Sequence, residues 1–180
     1  MLFDFLIGKK RPPENQAAPA TPQPTATLAV ACAQAPGTHI AYHPNLIDQL
    51  QGDHQKLLGI FGNILATFNA GDLAGTAKLL EEFRGNIQGH LLTENVKLYI
   101  YLEHALRQDE ESHQLVHGFR HEMDGIGKVV LAFLGKYKNI ASQPELAAAF
   151  GTELAQIGEA LVARIQREEE TLYPLYLPAY

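Results

Sequence analysis

Cysteine is almost absent. Cys32 is the only one in 180 residues, so no internal disulfide can form and nothing demands an oxidising compartment. A surplus of positive charge is missing too. The net charge is −6, which argues against a nucleic-acid partner, because phosphate binding shows as a basic surface. No phosphate loop, nucleophile triad or nucleic-acid module is visible. The start, MLFDFLIGKK, lacks the order of a secretory signal, since Lys9, Lys10 and Arg11 follow the apolar run. That run is short and broken by Asp4, so it cannot span a bilayer. A cytoplasmic protein is expected. Residues 1–10 read as a short apolar element. It is either a frayed start or a weak contact with a protein or membrane surface through residues 2–7, where Leu2, Phe3, Phe5, Leu6 and Ile7 lie.

Residues 11–41 have little with which to build a core. They hold six of the ten prolines (Pro12, Pro13, Pro19, Pro22, Pro24, Pro36) among Ala, Thr and Gln. This composition predicts a disordered, partly extended linker that carries Cys32. The folded domain is expected over residues 42–180. With 46% apolar residues in the chain, it can bury a real core.

Alternating apolar and polar runs are also lacking. From Asn45 onward apolar residues recur at spacings of three and four, which is the helical period. A first helix to about Phe68 carries Ile47, Leu50, His54, Leu57, Phe61, Leu65 and Phe68 on one stripe. Asp72 is placed to cap the second, whose stripe is Leu80, Phe83, Ile87, His90, Glu94, Leu98, Tyr101 and Ala105. A third helix from QDEES to about Lys138 presents Val116, Phe119, Met123, Ile126, Val130, Phe133 and Tyr137. His113, His117 and His121 run along the flank of that stripe. The fourth opens at SQPE, read as a capping box of Ser142 and Glu145. Its stripe is Phe150, Leu154, Ile157, Leu161, Ile165, Glu168 and Leu172. The fold class is therefore all-α, an up-down-up-down four-helix bundle.

Each helix presents an imidazole, a carboxylate or both at its inner face, the third from the flank of its stripe. A buried carboxylate without a partner is costly, so Glu94, one turn from His90, needs a cation, a donor or a proton. In the run RIQREEETLYP the phase turns Glu168 inward and leaves Glu169 and Glu170 to solvent. Imidazoles and carboxylates together suit iron, zinc or manganese. Four histidines and two carboxylates can hold two metals at the separation of about 3.5–4 Å usual for such pairs.

These stretches resemble the hemerythrin-like (HHE cation-binding) family. DQLQGDHQKLLGIFGNIL resembles its first helix, GHLLTENVKL its HxxxE, HGFRHEM its HxxxH, and EEETLYP its acidic ending. The resemblance implies two iron ions, oxo- or hydroxo-bridged. His54 and His90 would hold one iron, His117 and His121 the other, and Glu94 and Glu168 would bridge. One departure stands out: the family's histidine four residues before the last carboxylate is here Arg164. Either the site is redistributed, with Arg164 and His113 beside the ligands, or a permanent cation expels one metal and leaves a single-metal or metal-free bundle. A salt bridge between Arg164 and Glu168 would explain both residues structurally. His39, His43 and His104 have no partners at useful spacing. Tyr99, Tyr101 and Tyr173 read as packing residues, with a phenolic ligand or redox role open for one. The implied function is to bind or sense dioxygen, nitric oxide or peroxide at open iron positions. The alternatives are a di-iron redox or iron-handling enzyme and a metal-poor interaction module.

Overall fold

The computed structural model describes residues 34–179. The N-terminal element and most of the linker lie outside the described residues. Four helical rods form the bundle. The first is α1, Leu46–Asn69, whose inner face is Leu46, Leu50, His54, Leu57, Ile60 and Ile64. Gly71, at φ +78°, reverses the chain, a left-handed conformation that glycine adopts without steric cost. Asp72 then accepts the Gly75 N–H at 2.7 Å and caps α2, Leu73–Thr93.

The second rod does not stay α-helical. A π-helical turn, Glu94–Tyr99, joins α2 to α3, Ile100–Ala105. The third rod is α4, Glu110–Tyr137, capped by Asp109 through the Ser112 N–H at 3.3 Å. The fourth begins with a 3₁₀ turn, Pro144–Leu146, continues as α5, Ala147–Arg167, and passes into a second π-helical turn, Glu168–Leu172. Tyr173–Leu175 closes it as a 3₁₀ turn. The expected capping box does not form. The Ser142 hydroxyl donates back to the Asn139 carbonyl at 3.1 Å, and no side chain caps the Pro144–Leu146 turn. Pro144 opens that turn instead, where its missing N–H costs nothing.

Structure also begins earlier than residue 42. Ala35 is buried and accepts the Thr38 N–H at 3.1 Å across Pro36–Gly37, with Gly37 at φ +71°. A proline followed by a positive-φ glycine is the pattern of a type II turn. An isolated antiparallel bridge between Gln34 and Ala41 closes it. At the other end the Tyr101 hydroxyl donates to the Leu177 carbonyl and accepts the Ala179 N–H, which fixes the final segment.

The apolar interior falls into two clusters. One holds Leu57, Ile60, Ile87, Val130, Phe150 and Leu161 with their neighbours; the other holds Leu50, Leu98, Val116, Phe119, Met123, Leu172 and Tyr173 with theirs. Each full burial of such a side chain stabilises by about 1.5–3 kcal/mol. On every rod the boundary between the clusters falls at one level. It lies between Leu50 and Leu57 on α1, between Ile87 and Leu98 on the second rod, and between Leu161 and Leu172 on the fourth. Those three intervals contain the buried polar residues His54, His90, Glu94, Arg164 and Glu168. On α4 the same level, between Met123 and Val130, presents Ile126 and Gly127. The bundle thus encloses a polar layer to which α4 adds no buried polar side chain.

Candidate metal centre

Each buried carboxylate is the first residue of a π-helical turn, Glu94 in Glu94–Tyr99 and Glu168 in Glu168–Leu172. Such insertions recur at functional sites, because i→i+5 bonding shifts the phase of the helix and re-aims its side chains. Here the carboxylate that opens each turn faces an imidazole. One ligand atom from each of His54, His90, Glu94 and Glu168 lies within 4.8 Å of all the others, and all four residues are buried. His54 Nε2 stands 3.3 Å from Glu168 Oε2, and His90 Nε2 stands 3.7 Å from Glu94 Oε2. Among the described residues this is the one such group of histidine and carboxylate side chains.

The outer ring nitrogens also meet carboxylates. His54 Nδ1 lies 2.8 Å from Glu169 Oε1. His90 Nδ1 faces Asp53 Oδ2 at 3.8 Å, which is too long for a hydrogen bond. A carboxylate on the far nitrogen fixes a ring's tautomer and turns its other nitrogen to the centre, as metal-binding histidines require.

Two tyrosines and one arginine complete the layer. The Tyr173 hydroxyl donates to Glu94 Oε1 at 3.0 Å and lies 3.2 Å from His54 Nε2. Arg164 donates from Nε to Glu168 Oε1 at 2.6 Å, from one terminal nitrogen to the Tyr99 hydroxyl at 2.7 Å, and from the other to Glu122 Oε2 at 3.3 Å. Its guanidinium also lies 4.8 Å from the centre of the Phe119 ring.

The electrostatics follow from these contacts. Burial and the neighbouring Glu168 charge push the Glu94 carboxyl up to about 8. Burial would raise Glu168 as well, but the His54 hydrogen bond and the Arg164 charge outweigh it and hold Glu168 below its ordinary range. Burial and the His54 charge bring His90 down to about 4. For His54 burial is outweighed by hydrogen bonds to Glu168 and Glu169, and its pKa is raised.

Whether these residues fit a metal ion can be judged from their unmet needs. Glu94 Oε2 and His90 Nδ1 are buried without a hydrogen-bond partner, and an orphaned buried polar atom costs about 1–3 kcal/mol. A cation among the four ligand atoms would satisfy the carboxylate oxygen. Two imidazoles and two carboxylates form a donor set suited to iron, manganese or zinc. The fit holds for one ion.

Of the six expected ligands, His117 and His121 are not brought to this cluster. Both are exposed on α4, and His113 is half-buried away from the four. The reason is helical phase: Val116, Phe119 and Met123 occupy the inner face of α4, and at 3.6 residues per turn the histidines fall outside it. Sequence reasoning missed Glu169 as the partner of the outer His54 nitrogen, Asp53 as the carboxylate that faces His90 at 3.8 Å, and Glu122 as a partner of Arg164. For Asp53 the only signal was its place beside His54.

A small cavity of about 40 Å³ adjoins the cluster. His54, His90, Glu94, Arg164 and Glu168 line it together with Leu57, Phe61, Phe83, Ile87, Met123, Ile126 and Val130. The volume exceeds the roughly 10–15 Å³ that one water needs, and its walls suit a small apolar molecule.

No curated protein and no solved structure matches the chain. A family model, the hemerythrin HHE cation binding domain, matches residues 45–176. That match runs from the residue before α1 to the end of the fourth rod and takes in every residue of the buried cluster, so the chain belongs to the hemerythrin HHE cation-binding family.

Proposed function

We propose that the bundle holds a redox-active metal ion, iron foremost, among His54, His90, Glu94 and Glu168, and binds or senses a small molecule beside it. Dioxygen, nitric oxide and peroxide are the ligand class. The observation that carries this reading is the opening of a buried His/Glu cluster onto an otherwise apolar cavity. Hemerythrin-like domains bind small ligands such as dioxygen at a metal site. When bound, the metal supplies Lewis acidity and one-electron chemistry.

The protein's part lies in holding and shielding. His54 and His90 present Nε2 inward, and Glu169 orients the first of them. Tyr173 keeps one oxygen of Glu94 hydrogen-bonded, which leaves Oε2 free for the ion. The apolar walls limit water around the ligand, and exclusion of water strengthens every polar contact inside.

Purification from iron-supplemented cells, elemental analysis and nitric oxide titration of the reduced protein test the reading. Bound iron and a saturable nitrosyl spectrum are expected. Protein that binds no iron, manganese or zinc at micromolar concentration would overturn it.

A further inference from the structure

We infer that the centre takes a single metal ion, and that the Arg164 guanidinium is a built-in cation occupying the far side of Glu168 where a second ion would share that carboxylate. The inference rests on the metal-binding reading above and specifies its stoichiometry.

Glu168 is divided between two sides. Its Oε2 faces His54 Nε2 at 3.3 Å, within the ligand cluster, while its Oε1 accepts from Arg164 Nε at 2.6 Å. A carboxylate that joins two metals spends one oxygen on each. Here the second oxygen is already spent on a guanidinium, which remains charged at any accessible pH. Arg164 is only 5% exposed, and Glu168, Tyr99, Glu122 and the Phe119 ring hold it from four directions. Swinging it out would leave buried oxygens unpaired, so it is not a mobile side chain that yields to an incoming ion.

The facing rod offers no free ligand there, because its Glu122 carboxylate is already bonded to Arg164 and Arg167. At this level α4 presents Met123, Ile126 and Gly127, and its histidines 117 and 121 are exposed. A divalent ion placed beyond Glu168 would meet a fixed positive charge and no imidazole. Arg164 bonds Glu168 and not Glu94, so the single metal is left to offset Glu94.

The test is metal stoichiometry, measured on the full chain with Mn(II) by calorimetry and by electron paramagnetic resonance. The expected result is one equivalent per chain with the spectrum of an isolated ion. Arg164→Lys, which keeps the charge, should stay at one equivalent. Arg164→His, which removes the permanent charge and supplies an imidazole beside Glu168, should take up a second ion and show spin coupling. Two coupled equivalents in the wild type overturn the single-ion assignment but leave the metal-binding function standing. A value of one in both variants overturns the role given to the charge. No binding in the wild type removes the functional reading itself.

Discussion

Arg164 and Glu168, one helical turn apart, form a buried ion pair at 2.6 Å whose carboxylate also reaches His54. Removing one partner of a buried pair strands the other, at a cost of about 3–5 kcal/mol. The three consecutive glutamates should therefore respond differently. Glu168→Gln, which keeps the shape, should abolish tight metal binding. Glu169→Gln should weaken it about 10–100-fold, the usual effect of losing a partner of a ligand histidine. Glu170→Ala, at an exposed position, should leave affinity and stability unchanged. Chelator competition measures all three. Equal losses at 168 and 170 would contradict the phase of the fourth rod.

Protonation predicts an unusual pH dependence for the metal-free protein. Glu94 is raised from 4.5 to about 8, so between those values the folded state holds a proton that the unfolded state has lost, and stability falls as pH rises. His90 is lowered from 6.5 to about 4. In that window the unfolded state holds the extra proton, and stability rises with pH. The two oppose each other up to pH 6.5. Above it Glu94 acts alone among them, and the raised His54 adds to the fall as it loses its own proton. Stability should drop by on the order of 2 kcal/mol between pH 6.5 and 8, at about 1.4 kcal/mol per pKa unit. Metal affinity should climb over the same range as ligands shed protons. Urea midpoints at pH 6, 7 and 8, with and without metal, measure both; a flat metal-free profile contradicts the prediction.

The fold was legible because helical burial repeats at a fixed period. Leu50, Leu57, Leu80, Phe83, Val116, Phe119, Leu154 and Leu161 all lie where that period puts them. His54, His90, Glu94 and Glu168 were legible for the same reason, as polar residues at apolar positions. What the period could not carry is the pair of π-helical turns. After Glu168 the backbone shifts phase, and Glu169, which reads as solvated in an ideal α-helix, turns back to bond His54. The histidines of α4 illustrate the opposite error. Their HxxxH spacing matches a motif, yet residues 116, 119 and 123 already fill the inner face. The role of Tyr173 was hidden because a tyrosine at an apolar position reads as packing, while its hydroxyl is held by two other rods, through Glu94 and His54.

That hydroxyl supplies the next prediction. Tyr173 gives Glu94 its one hydrogen bond, since Oε2 has none. Tyr173→Phe would leave both oxygens of a fully buried carboxyl unpartnered. The metal-free variant should lose about 1–3 kcal/mol, the cost of an unsatisfied buried polar group. With metal bound the loss should be smaller, because the ion satisfies the same carboxylate. Denaturant titration of both forms decides this. An equal loss in the two forms would assign Tyr173 a packing role alone.

The last prediction separates the metal from the space beside it. Val130 lines the cavity and lies on α4, which contributes none of the four clustered residues. Val130→Phe extends a ring into a space of about 40 Å³. Overfilling a packed core costs about 1–3 kcal/mol, and the cavity should absorb part of that strain. Metal stoichiometry should stay at the wild-type value, since no ligand atom is touched. Nitric oxide affinity of the reduced, iron-loaded protein should fall at least tenfold, because the ring occupies the ligand's place. Leu65→Phe, at a half-exposed position on α1 outside the cavity lining, is the control and should leave that affinity unchanged. If Val130→Phe binds nitric oxide as the wild type does, the small molecule reaches the metal from another side and the cavity is only a packing defect.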